Sequence, residues 1–366
     1  MTKYYVIAGE ASGDLHGSNL IKAIQAKQPE ASFRVWGGDY MAATGATLVK
    51  HFRDLAFMGF IEVLANLKTI LSNLRFCKQD ISHFQPDVLI LVDYPGFNLR
   101  IAEWAHARGI RVVYYISPQV WAWKEGRVKT IKKCVDQMLV ILPFEKEFYA
   151  KWNYPVHYVG HPLTEVVGAF RPKEQLVFDK PLVAVLPGSR KQEIRAKLPI
   201  MLSMAAKFPA YQFVVAQAPG LDESFYQPFL QGFPNVAVVR GKTYPLLAQA
   251  KAALVTSGTA TLETALFRVP QVICYRGSAI SFAIAKRLVN IKYIGLVNLI
   301  MDKPVVRELI QDELTEQNLN KELERLLHDL SYRNQMAADY EALWALLAQG
   351  GSASAQAAAL IVDGQR

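Results

Sequence analysis

YYVIAGEASGDLHG, residues 4–17, is a short apolar run that ends in a glycine turn and passes directly into a helical pattern, NLIKAIQA at 19–26. A strand, a Gly-containing turn and a helix in that order begin an open α/β sheet, and such sheets place their chemistry at this junction. Backbone N–H groups at a helix start favour anions, and Gly9 and Gly13 let the chain turn tightly and come close to a ligand. The loop also carries Glu10, Asp14 and His16. Two carboxylates disfavour a diphosphate and the spacing is not GxGxxG, so the loop reads as one that handles hydroxyls or protons. Taken alone, a tight turn with Ser12 or Asp14 capping the helix explains the same residues equally well.

Outward from this junction the grammar repeats. YYVIA, FRVW, DVLILVD, RVVYYI, QMLVIL and VHYVG alternate with helical patterns over the first 160 or so residues. The pattern restarts at LVAVLPGSR and continues through YQFVVA, VAVV, AALVTSG and QVICY. Alternation of this kind predicts βαβ units and parallel sheets. The fold expected is α/β, with two doubly wound Rossmann-like domains facing each other across a cleft. The expected divisions are 1–165, 166–335 and an Ala-rich helical end, 336–366, whose last helix packs back on the first domain or on a neighbouring chain.

A chain of 366 residues, 51% of them hydrophobic, has enough apolar material for two cores. Cys77, Cys134 and Cys274 lie far apart with no CxxC pair, which indicates neither a disulfide framework nor a zinc site and suits a reduced, cytosolic setting. The first apolar run is only a strand long and has no basic leader. No later run approaches the roughly 18 apolar residues of a spanning helix, so the chain reads as neither exported nor transmembrane. A formal charge of +9 calls for an anionic partner: nucleic acid, an anionic membrane face or a phosphorylated substrate. No basic tail, zinc module or aromatic RNA-binding signature speaks for nucleic acid.

Three further stretches carry chemistry. LPGSRKQEI, 186–194, is a strand end, a turn with Pro187 and Gly188, and a helix start bearing Arg190. A guanidinium there suits a diphosphate, and pairing with Glu193 is its plain alternative. TSGTATLE, 256–263, makes a second glycine turn whose N–H groups, with Ser257 and Thr259, suit a pyrophosphate. Glu263, one turn into that helix, is placed for ribose hydroxyls, although the helix dipole alone also favours a carboxylate near a helix start. DVLILVDYPGFN, 87–98, puts Asp93 after a buried-type run at a strand's carboxyl end. Partial desolvation there raises a carboxylate toward what a general base needs; capping the following helix is the competing role.

Two segments are greasy or basic. LAFMGFIEVL, 55–64, gathers Phe57, Met58, Phe60 and Ile61 around one glycine and one glutamate, and suits core, an acyl-chain site or a membrane interface. QVWAWKEGRVKTIKK, 119–133, sets Trp121 and Trp123 among lysines and arginine; this suits a bilayer interface or a solvated helix face. The run at 275–293 repeats the mixture.

In order along the chain, GEASGDLHG, MGFIEVL, LVDYPGFN, SPQVWAW, VGHPL, LPGSRKQEI, SGTATLE, VNLI and VRELIQ resemble the lipid A disaccharide synthases, from Gly9 to Gln311. GEASGD, QVWAW and VGHP together are the specific part. The resemblance implies a two-Rossmann (GT-B) inverting glycosyltransferase that joins UDP-2,3-diacylglucosamine to 2,3-diacylglucosamine 1-phosphate through a β-1',6 linkage and releases UDP. It implies no cofactor and no metal, and peripheral attachment to the cytoplasmic face of the anionic inner membrane; a homodimer is left open. It also implies Asp93, Glu10 and His16 as catalytic residues. Ser12, Gly13, Asp14, Met58, Phe60 and Glu62 would lie near acceptor or sugar. Gly188, Ser189, Arg190, Ser257, Gly258, Thr259, Glu263, Asn298 and Glu308 would form the UDP pocket.

Three rivals predict different chemistry. A UDP-sugar epimerase on the same plan turns over with UDP-sugar alone and leaves the greasy segment without a task. A non-catalytic lipid or nucleotide binding module leaves GEASGD and Asp93 idle. A nicotinamide oxidoreductase lacks GxGxxG and the acid expected after the second strand.

Overall fold

The computed structural model describes residues 1–54, 67–172, 175–277 and 292–364. The chain forms two compact units, Met1–Pro162 with Leu347–Arg366, and Leu163–Leu346.

Among the described residues the first unit holds β1 (Lys3–Ala8), β2 (Ser32–Gly37), β3 (Thr47–His51), β4 (Val88–Val92), β5 (Arg111–Tyr115), β6 (Gln137–Val140) and β7 (His157–Tyr158). They form one parallel sheet in the order β3-β2-β1-β4-β5-β6-β7. The order reverses between β1 and β4, which is the switch point where such sheets open a crevice at their carboxyl ends.

The continuous apolar runs have a direct cause: both faces of this sheet are covered. Tyr5, Ile7, Leu89, Leu91, Val112 and Tyr114 enter one core with Cys77, Ile81, Ile101 and Ile131 from three helices. Tyr4, Val6, Ile90, Val92, Val113 and Tyr115 enter the other with Leu20, Ile21 and Ile24. That second core is completed by Ala357, Ala358 and Ile361 of the last helix, Ala353–Asp363. Arg111 Nη1 fixes this helix by donating to Ile361 O at 2.7 Å.

The second unit contains β8 (Leu182–Leu186), β9 (Gln212–Gln217), β10 (Val236–Arg240), β11 (Ala250–Thr256), β12 (Gln271–Tyr275) and β13 (Arg307–Ile310), parallel in the order β10-β9-β8-β11-β12-β13. Its switch point lies between β8 and β11. Leu182, Ala184, Leu186, Val214, Ala253 and Val255 line one face.

The helix Leu330–Leu347 crosses the expected division at 335/336. Met336, Tyr340 and Leu343 are buried, and Gln271 Nε2 donates to Tyr340 Oη at 3.3 Å, which binds the helix to the second sheet. The chain therefore returns to the first unit at Leu347. β3 and β13 were not anticipated from the sequence. Each is an edge strand, TLVKH or RELI, whose polar residues meet solvent and leave no continuous apolar run.

No helix among the described residues is long and apolar enough to cross a membrane.

Candidate functional site

The register Ala8↔Val92 sets the ends of β1 and β4 side by side. Asp93 follows Val92 at once, and Glu10 follows Ala8 by two residues as the N-terminal flank of the helix Ala11–Lys27. A Cβ on Gly9 would lie 2.4 Å from Tyr94 Cγ, so only glycine lets this turn lie against the Tyr94 ring.

The Asp93 turn is strained and locked. Asp93 and Tyr94 both have positive φ, 44° and 48°. Neither is glycine, and such conformations persist only where surroundings impose them. Asn98 Nδ2 donates to Asp93 O at 2.7 Å and Val92 O at 3.2 Å, and Tyr114 Oη donates to Asp93 O at 2.5 Å. The helix Pro95–His106 begins after Tyr94 with no side-chain cap, so capping is not what Asp93 does.

Burial, and after it the Glu10 carboxylate, raise the Asp93 carboxyl against the opposing Tyr94 N–H, to about 7 in all. A carboxyl that titrates near neutrality at a strand end is the electrostatic signature of a general base.

Other residues of the first loop have different settings. Ser12 is exposed at the helix start and Gly13 is buried against Ala8. Asp14 does not cap its own helix. Its carboxylate accepts from Gly38 N (2.8 Å), Met41 N (3.0 Å) and Tyr40 N (3.0 Å), at the start of the short helix Asp39–Ala42. Three orphan N–H groups claim it, and it is 2% exposed.

His16 is buried with no partner for Nδ1 among the described residues, and burial lowers its pKa to about 4. That favours a neutral imidazole at pH 7, able to donate or accept a hydrogen bond. Beside it stands His161 of VGHPL, lowered to about 3 by burial and by His16. Met58, Phe60 and Glu62 lie outside the described residues.

In the second unit the two glycine turns meet at one cavity of about 320 Å³, lined by Gly188, Ser189, Glu193, Thr256, Ser257, Gly258, Thr259 and Glu263, with Gln217 and Thr243 on its wall. Gly188 has φ 112° and Gly258 φ 143°, conformations that glycine adopts without strain. Arg190 flanks the helix Lys191–Lys207, and its Nη1 lies 3.5 Å from Glu193 Oε1. With the guanidinium 62% exposed, this pair is weak. Glu263 accepts from Tyr244 Oη at 2.8 Å, and burial raises its pKa.

Asn298 and Glu308, expected in the pocket, are joined in one hydrogen-bond network. Glu308 accepts from Ile294 N and Gly295 N, both 3.0 Å, and from Asn298 Nδ2 at 2.9 Å. Asn298 also exchanges hydrogen bonds with Val306 N and O. They pin the segment 294–308, to which Ser257 Oγ adds a bond at Ile294 O, 2.9 Å.

Sequence reasoning missed Lys197. It is buried on the helix Lys191–Lys207, with Nζ donating to Thr256 Oγ1. Its signal was legible: Ile194, Lys197, Leu198 and Met201 form an apolar helical stripe interrupted by one lysine. Trp121 and Trp123 have different surroundings. Trp121 packs edge-on to Phe144 at 5.0 Å, whereas Trp123 is 50% exposed with Lys124 Nζ 4.3 Å over its ring.

A family model described as Lipid-A-disaccharide synthetase matches residues 4–362. A lipid-A-disaccharide synthase of Trichlorobacter lovleyi is 40% identical over 338 residues, 89% of this chain and 88% of that one. One from Coxiella burnetii is 37% identical over 358 residues, 95% of each. Among solved structures, the glycosyltransferase of kitacinnamycin aligns with a TM-score of 0.68 at 15% identity, covering 99% of this chain and 98% of that one. The UDP-GlcNAc 2-epimerase of Neisseria meningitidis aligns at 0.66 and 13%, covering 100% and 99%. These two share the fold; family identity rests on the sequence relatives. The chain belongs to the lipid-A-disaccharide synthetase family of GT-B glycosyltransferases.

Proposed function

We propose that the chain condenses UDP-2,3-diacylglucosamine with 2,3-diacylglucosamine 1-phosphate, giving the β-1',6-linked disaccharide 1-phosphate and UDP. The observation that carries the residue assignment is Asp93: a strained, half-buried carboxyl at a strand end, held near neutrality beside Glu10.

An α-linked donor and a β-linked product require one in-line displacement. The acceptor 6-hydroxyl attacks the donor anomeric carbon while Asp93 takes its proton, and the bond to UDP breaks with the electron pair going to the diphosphate. Glu10 keeps Asp93 basic enough to accept that proton. Ser12, Gly13 and the neutral His16 offer hydrogen bonds to hydroxyls. Met58, Phe60 and Glu62 would meet acyl chains and sugar.

In the second unit the N–H groups of the Gly188–Ser189 and Ser257–Thr259 turns and the Arg190 guanidinium would take the diphosphate charge that develops as UDP leaves. Glu263 would accept from the ribose hydroxyls. Asn298 and Glu308 would support this pocket from behind.

Peripheral contact with an anionic membrane face is part of the same reading. The charge of +9 and the exposed Trp123 under Lys124 and Arg127 support it.

The test is UDP release by the purified protein with the donor, with and without the acceptor in detergent micelles, followed by mass analysis of the lipid. Release that needs both, with a disaccharide monophosphate product, is expected. Release from the donor alone would replace the transferase with a hydrolase or epimerase.

A further inference from the structure

Lys197 is 2% exposed, four residues after Glu193 on the helix Lys191–Lys207. An ammonium buried so deeply is unfavourable unless an anion or several strong acceptors meet it. Its hydrogen bond among the described residues goes to a neutral hydroxyl, Thr256 Oγ1. The neighbouring carboxylate is shared with other groups: Glu193 Oε1 lies 3.5 Å from Arg190 Nη1, and Oε2 would lie 2.8 Å from a Cβ on Gly188. Burial accordingly lowers the Lys197 pKa, with Glu193 and Cys274 favouring its charge and Arg190 opposing it.

Thr256 is the last residue of β11 and lines the cavity with Gly188, Ser189, Ser257, Gly258 and Thr259. Its Cγ2 faces Gly188, 3.3 Å from the Cβ that position lacks. A hydroxyl that accepts from an ammonium still has its own proton to give. The polarised hydroxyl and the two glycine turns thus line one cavity, with the buried cation bonded to Thr256, and an anion placed there would add to the favourable charge that Glu193 already supplies to Lys197.

We propose that Lys197 is the interior cation of an anion-binding site: it holds Thr256 as a donor toward the cavity and adds its charge to the attraction of a diphosphate seated on the two turns. This deepens the UDP reading and rests on it. Lys197 acts through Thr256 and is a positioning residue, distinct from the surface guanidinium of Arg190.

The experiment titrates UDP, uridine and inorganic pyrophosphate into the full-length wild type, Lys197→Met and Lys197→Gln, with thermal melting of each. The expected result is that Lys197→Met weakens UDP about tenfold or more, the usual effect of losing a charged hydrogen-bonding group, while uridine binding is retained. Should Lys197→Met fail to fold, Lys197→Gln keeps a donor without the charge and reads the same UDP-to-uridine ratio. A merely structural lysine would lower the melting temperature and leave that ratio unchanged, which overturns the proposal. Wild-type protein that binds pyrophosphate but not UDP, with the Lys197 dependence intact, removes the nucleotide reading and keeps this one. Wild-type protein that binds UDP regardless of residue 197 does the reverse, and absence of binding of either anion overturns both.

Discussion

Glu10 and Asp93 are two carboxylates brought together by the parallel register of β1 and β4, and the field of the first helps hold the second at about 7. Burial is the larger cause and Glu10 the smaller. Glu10→Gln removes the like charge and leaves the burial, so the acid limb of kcat/KM should move to lower pH by roughly half a unit to one unit. A limb that stays in place would mean that the two carboxylates do not communicate in solution.

Asp93→Asn separates chemistry from binding. It should lower turnover by about 10²–10⁴-fold, the usual contribution of a positioned base, with UDP affinity retained. Near-normal turnover would remove Asp93 as the base. The variant should also be more stable than wild type at alkaline pH. The native pKa of about 7 lies above the unfolded value of 3.8, so the native state holds its proton more tightly. Stability is then present at low pH and lost as pH rises from the unfolded value through 7. Melting at pH 8 should favour Asp93→Asn, and the gain should shrink toward pH 5.

The sheet centres were legible because they are covered on both faces. VLILV and LVAVL read as unbroken apolar runs, and every residue of each is buried. Glycine turns and strand-end acids were legible for a related reason: backbone freedom and charge leave a local trace in the sequence. What escaped depended on distant partners. Nothing near Asp14 announces that the N–H groups of Gly38, Tyr40 and Met41 will claim it, and nothing near Glu308 announces Ile294 and Gly295. The pairing of His16 with His161 spans 145 positions and likewise has no local sign.

Arg190→Ala should weaken UDP by about tenfold or more and leave uridine nearly unaffected, because a guanidinium recognises phosphate oxygens and not the nucleoside. The Glu193 contact, 3.5 Å and exposed, is too weak for its loss to lower the melting temperature appreciably. An unchanged UDP dissociation constant would assign Arg190 to the surface pair alone.

Gly9→Ala tests the close approach that places the first loop against the Asp93 turn. A methyl group 2.4 Å from Tyr94 Cγ must displace either the ring or the loop. Destabilisation of about 1–3 kcal/mol, typical of overpacking, should accompany a large loss of kcat. Full activity would show that the ring yields without moving Asp93.

The two histidines set the acid side of the stability profile. His16 and His161 have native pKa values of about 4 and 3, below the unfolded 6.5. Below pH 6.5 the unfolded chain takes up protons that the native state refuses, so stability present above that pH is lost as pH falls toward 4 and 3. Buried carboxyls act oppositely. Asp93 at about 7 and Glu145 at about 8 become easier to keep buried as they gain protons between pH 8 and 6. The opposed slopes should nearly cancel between about pH 5 and 6, giving a broad melting-temperature plateau there, with a decline above about pH 6.5 and a shallower one below about pH 5. His16→Gln should flatten the acid decline, even where it lowers the melting temperature at pH 7 through imperfect packing. An acid limb as steep as that of wild type would show that His16 takes up its proton in the native state and is less enclosed than its surroundings imply.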